Sequence, residues 1–161
     1  MRIRKGLVLL LILVLAFAFY SLLGRLSPSW LSFIDTFSIA VLLSAITYGE
    51  IEGAVMGTAA GLLKDAFSHS VFGLSGLSLT ITGFLAGWIG QKINLNSLAK
   101  RSVVLFLFSL LQLLLWIVFY GLIFKKSLLS SRPGLYLQPV INAIITSLLT
   151  GLFWPAKIAI D

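Results

Sequence analysis

Glu52-Gly53-Ala54-Val55-Met56-Gly57-Thr58-Ala59-Ala60-Gly61-Leu62-Leu63-Lys64-Asp65 is the stretch on which the fold turns. Three glycines and an aspartate recur every fourth residue, at Gly53, Gly57, Gly61 and Asp65. On an α-helix, residues i and i+4 stack on one face, so the four make a ridge nearly free of side chains that ends in a carboxylate. In water such a helix is poor, because each interior glycine costs about 0.8–1.0 kcal/mol relative to alanine. In a bilayer the same ridge lets a second helix approach backbone to backbone.

Composition places the stretch in a membrane. Only 11% of the 161 residues are charged and 59% are apolar, with a mean hydropathy of +1.07. Soluble domains carry about 25% charged residues, so this chain lacks the charge to cover a water-facing surface. Its apolar runs approach the roughly 20 residues that cross a bilayer, and they are apolar on every face. The net charge of +7 is scattered among segment ends rather than gathered in one stripe, which argues against nucleic acid and for basic flanks held near anionic lipid. Cysteine is absent, which removes disulfides, thiolate metal sites and cysteine nucleophiles.

The pattern predicts one all-α transmembrane domain over 1–161, with spans at about 6–23, 33–48, 51–67, 74–89, 103–124 and 137–154. Five spans is the alternative count. Ala16-Phe17-Ala18 mimics a signal-peptide cleavage site, but the apolar run continues beyond it to Leu23, so the first segment reads as a retained span. The fourth span repeats the small-residue theme, with Gly76, Thr80, Gly83, Gly87 and Gly90 on one narrow face. The third and fourth spans should therefore pack as a close antiparallel hairpin at the centre of a compact bundle. Gly53, Gly57, Gly61, Gly76, Gly83 and Gly87 are its expected contact positions. With the N-terminus in the cytoplasm, the inner side carries Arg2, Arg4, Lys5, Lys92, Lys100, Arg101 and Lys157. The outer side carries Arg25, Lys64, Lys125, Lys126 and Arg132, a weak bias in which the three N-terminal charges decide.

Catalytic chemistry finds no support in the residues. Gly73-Leu74-Ser75-Gly76 is similar to the Gly-x-Ser-Gly of rhomboid-type intramembrane serine proteases, whose serine needs a histidine base on another helix. The one histidine, His69, lies six residues upstream in the preceding turn and none follows Ser75. One histidine and scattered carboxylates make no metal set, and the glycines step through an apolar helix rather than opening one after a strand, so no phosphate loop is present. No catalytic residue, cofactor or metal is expected. Ionisable residues at membrane depth remain, chiefly Asp35, Lys64 and Asp65 near the outer ends of the second and third spans. They read either as helix caps paired to neighbouring cations or as polar contacts for a partner.

Gly57-x-x-x-Gly61-Leu62-Leu63-Lys64-Asp65-x-x-Ser68, followed by Gly73-Leu74-x-x-Leu77 and Gly83-x-x-x-Gly87, resembles the rod shape-determining protein MreD family over residues 33–90. Asp35 falls where that family often has Pro-Asp, although Ile34 precedes it here, and His69 stands where glycine is common. The resemblance implies a non-enzymatic scaffold of the bacterial cell-elongation machinery in the inner membrane. It also implies a bitopic partner of the MreC type and, indirectly, MreB, a RodA-type glycosyltransferase and a class B penicillin-binding protein. That architecture is in turn similar to the substrate-binding subunits of energy-coupling-factor vitamin transporters.

Function thus divides between a membrane scaffold and a small-molecule, vitamin-type uptake subunit with a pocket between helices. A vitamin pocket needs convergent polar groups. Polar residues within the spans look sparse, chiefly Gln112, Asn142, Ser44 and Thr47, and that sparsity favours the scaffold.

Overall fold

In the computed structural model, residues 2–27, 33–67, 71–93, 97–124 and 134–158 are described. Trp30, Ser68, His69, Lys125, Lys126 and the Arg132-Pro133 turn signal lie outside them. The described residues form six helices and no strand: α1 Arg2–Leu26, α2 Thr36–Tyr48, α3 Glu50–Phe67, α4 Leu74–Lys92, α5 Leu98–Phe124 and α6 Gly134–Ile158. The chain is an all-α bundle of apolar helices. Two stretches, Arg4–Leu26 and Leu98–Ile123, are by themselves long and apolar enough to cross a membrane. Leu7, Leu10, Leu15 and Phe19 stand exposed along α1, where lipid tails rather than protein would cover them.

Helix ends differ from hydropathy boundaries for physical reasons. α5 starts at Leu98, so Lys100 and Arg101 belong to its first turn rather than to a loop. Hydropathy marks the apolar slab, whereas Lys and Arg are good helix formers and let a helix run on past it. α2 begins only at Thr36, because the Asp35 side chain accepts a hydrogen bond from Ser38 N and caps the first turn. Pro139 stands in the second turn of α6, where it removes one backbone donor from the ladder.

α3 and α4 make the most extensive helix pair. A Cβ on Gly53 would stand 2.5 Å from the Gly83 carbonyl oxygen, and one on Gly57 2.6 Å from the Leu79 carbonyl carbon. At Gly61 it would stand 2.6 Å from Gly76 N, and at Gly87 2.5 Å from Glu50 N. Each obstruction is backbone, so no side-chain movement can relieve it. Gly76 differs: its own Cβ would meet only the Leu62 side chain, at 3.4 Å.

α2 lies across this hairpin and touches all five other helices. Its 13 residues reach only about 20 Å against a hydrocarbon core of about 30 Å. It is nonetheless stable there because protein surrounds it nearly throughout. Phe37, Ala40 and Val41 pack with Ala16, Met56, Ala60 and Leu79 on one side. Leu42, Ala45 and Ile46 pack with Ala86, Leu105, Phe108 and Ala143 on the other. The single residue between α2 and α3, Gly49, has φ +117°, which favours glycine, and its N–H donates to Ala45 O at 2.9 Å. The starts of α2, α4 and α6 and the ends of α1, α3 and α5 consequently lie at one end of the bundle.

Candidate functional site

Most hydroxyls inside the bundle are satisfied by their own helix. Thr47 donates to Leu43 O, Thr82 to Ser78 O, Thr146 to Asn142 O and Thr150 to Thr146 O, all at 2.7–2.8 Å. Such a side chain makes no demand on its surroundings. Five buried side-chain atoms break this rule and have no partner among the described residues: Thr36 Oγ1, Ser38 Oγ, Ser75 Oγ, Ser109 Oγ and Asn142 Nδ2. Thr36 and Ser38 occupy the first turn of α2, where no intrahelical carbonyl lies one turn behind them to accept their protons. Leaving each such group unpaired costs about 1–3 kcal/mol, which marks where the chain holds polar capacity in reserve.

Four of the five belong to one region. Asp35 N donates to Asn142 Oδ1 at 3.1 Å, which ties the start of α2 to α6 and sets Thr36 and Ser38 beside Asn142. α5 joins through its register on α6. Arg101 Nε and Ser102 Oγ both donate to Ser147 Oγ, at 3.4 and 2.9 Å, and Arg101 lies over Gly151. Stepping along the two antiparallel helices from the Ser102–Ser147 contact brings Ser109 level with Val140, within a turn of Asn142, and Gln112 level with Leu137, next to Gln138. Gln112 and Gln138 are also buried. α2, α5 and α6 thus each contribute buried amides or hydroxyls, Thr36 and Ser38 from the first, Ser109 and Gln112 from the second and Gln138 and Asn142 from the third.

Charged groups close the same end of the bundle. Lys64, 20% exposed, forms an ion pair with Asp35, which is 4% exposed. Tyr20 of α1 stacks obliquely on Phe37 with ring centroids 5.2 Å apart, and its hydroxyl lies within electrostatic reach of both charges. Asp65, 2% exposed, turns to the hairpin partner instead. Its carboxylate accepts from Ser75 N at 3.0 Å and Gly76 N at 3.3 Å, and so caps α4 from across the turn. Asp35, Lys64 and Asp65 are thus held within the bundle, and the first two meet at the start of α2.

Among the described residues no three histidines or carboxylates gather as a metal set. Sequence reasoning noticed Gln112 and Asn142 singly. It passed over Thr36, Ser38 and Ser109, whose only signal would have been the lack of a carbonyl to bond or a shared height across helices.

Comparison with known families decides between the two functional readings. The family model for the ECF-type riboflavin transporter S component matches residues 8–153. The chain belongs to that family. No curated protein and no solved structure was found to match it. The helices described above are therefore those of an integral membrane protein. Membership in the S-component family corrects the resemblance to MreD, together with the cell-elongation scaffold and the MreC, MreB, RodA-type and penicillin-binding partners it implied. The reason is visible in the hairpin. Gly57 and Gly61 are fixed by close backbone approach and Asp65 by the cap it gives α4. Any equally tight membrane hairpin asks for the same motif, so the motif reports packing rather than family. Weighing polar residues by their scarcity along the chain likewise missed their convergence from three helices.

Proposed function

We propose that the chain is a substrate-binding membrane subunit of a vitamin uptake transporter and that it binds riboflavin between α2, α5 and α6. The family match supports the transporter class. The observation that supports the location is the set of four partnerless buried polar atoms, Thr36 Oγ1, Ser38 Oγ, Ser109 Oγ and Asn142 Nδ2, on three helices of which two also carry the buried Gln112 and Gln138. Riboflavin is uncharged, with alternating carbonyl and N–H groups along one ring edge and a chain of hydroxyls. Amides and hydroxyls match it group for group without the cost of burying an ion. A binding subunit of this kind is not an enzyme, needs no cofactor, and works with an energy-coupling module that contains the ATPase and a transmembrane component.

The charges support an orientation in the bacterial inner membrane with the N-terminus in the cytoplasm, since Arg2, Arg4, Lys5, Lys92, Lys100 and Arg101 share that end of the bundle. In this orientation the first turn of α2, with Thr36 and Ser38, faces the outer half, where substrate arrives. Expressed with riboflavin and purified in detergent, the full chain should carry flavin absorbance through size exclusion, with the fluorescence of the bound flavin quenched. A folded chain that emerges colourless and leaves added riboflavin fluorescence unchanged would overturn this reading.

A further inference from the structure

The other end of the bundle holds a cation that the riboflavin reading does not use. Arg101, in the first turn of α5, is only 5% exposed. Its one side-chain hydrogen bond among the described residues runs from Nε to the neutral Ser147 Oγ, at a long 3.4 Å. Among the described residues no carboxylate pairs with it, and the one ion pair is Lys64–Asp35, at the opposite end. The α5 N-terminus adds its own partial positive charge. Room for the guanidinium exists because residue 151 is glycine; a Cβ there would stand 2.7 Å from Nη2. Neither Nη nitrogen is among the sealed, partnerless atoms, so both terminal nitrogens keep an opening to the surface while the stem is enclosed. A guanidinium cannot shed its charge, and its planar fork suits two oxygens of one anion.

We propose that Arg101, with Ser102 beside it, is a binding site for a phosphate group and that the phosphate is that of an anionic phospholipid headgroup. Height and surroundings select the source. Leu98 and Val103 flank Arg101 on α5 and are exposed as lipid-facing side chains are. On α4, one turn from its own end at the same side of the bundle, Trp88 is half exposed with the Lys92 ammonium 4.0 Å above its ring, the pairing of an interfacial anchor. Lys100 is exposed at the same level and adds attraction for an anionic surface. The site does not depend on which substrate the chain carries.

The test is native mass spectrometry of the delipidated full chain titrated with phosphatidylglycerol or phosphatidylcholine. The wild type should retain one phosphatidylglycerol about tenfold more tightly than phosphatidylcholine, the scale of a charge-assisted pair. Arg101→Gln should lose that preference and Arg101→Lys should keep part of it, because the lysine retains charge without the fork. Lys100→Gln should change it by less than about twofold, as for an exposed charge. Gly151→Ala, which crowds the guanidinium without removing it, is the second probe should Arg101→Gln fold poorly, and it should weaken retention too. Displacement of the bound lipid by millimolar inorganic phosphate would overturn the lipid assignment while leaving the phosphate site. Equal phosphatidylglycerol retention by wild type, Arg101→Gln and Gly151→Ala would overturn the site itself.

Discussion

Replacing Gly57 with alanine adds one methyl group to a backbone-to-backbone contact of the α3–α4 hairpin. The new Cβ would lie 2.6 Å from the Leu79 carbonyl carbon, and an ordinary contact begins at 3.4 Å. α3 and α4 would have to part by most of an ångström, because the obstruction is backbone and the adjoining crossings at Gly53 and Gly61 are equally close. Overpacking of this kind costs about 1–3 kcal/mol, and loosened neighbouring crossings place Gly57 toward the upper value. Alanine returns up to about 1 kcal/mol of helix propensity. The net loss should be about 1–2 kcal/mol, a fall in Tm of about 3–6 °C for a chain of this size. Two substitutions calibrate it. Gly76→Ala meets only the movable Leu62 side chain, and Gly121→Ala meets nothing within 4 Å, so both should match or exceed the wild type. Circular dichroism melts of the four proteins in one detergent supply the comparison. A Gly57→Ala melt no lower than that of Gly121→Ala would refute the packing argument.

Further expectations concern the polar groups. Asp35→Ala removes both the α2 cap and the partner of Lys64 and should cost about 2–3 kcal/mol, whereas Asp35→Asn keeps the cap and should cost less. Adding Lys64→Met to Asp35→Asn should recover part of that loss, measurable as a double-mutant cycle. Asp65→Ala leaves the Ser75 and Gly76 N–H groups without their acceptor and should destabilise by about 2 kcal/mol, with hydrogen exchange rising first at the start of α4. Arg101→Gln should leave riboflavin affinity within about twofold of wild type, because Arg101 stands at the opposite end of the bundle from the first turn of α2, and fluorescence titration reads this directly.

Helices and the glycine hairpin are legible in the sequence because each is written locally. Close backbone approach erases side chains at one fixed interval along a single segment, as at residues 53, 57 and 61. The buried polar groups of α2, α5 and α6 are not written that way. Ser38, Ser109 and Asn142 are separated by 71 and 33 residues, and each alone in an apolar run reads as a hydroxyl or amide attending to its own helix. What distinguishes Ser109 from Thr82 is that Thr82 bonds the carbonyl four residues back and Ser109 does not, a fact of rotamer and neighbours. Arg101 escaped notice for the opposite reason. Hydropathy put it in a loop, where an unpaired arginine is unremarkable, while the helix carries it under the cover of α6.

Isothermal titration of riboflavin into the purified full chain, wild type beside Asn142→Leu, tests the central claim most directly. Leucine matches asparagine in branching but is larger, and it removes the Oδ1 that accepts from Asp35 N, so this variant should lose about 1–3 kcal/mol of stability and is titrated at a temperature where circular dichroism shows it folded. Wild type should bind one riboflavin per chain and Asn142→Leu should bind at least about tenfold more weakly. Equal affinity in the two proteins, or no heat of binding from a folded wild type, would contradict the account.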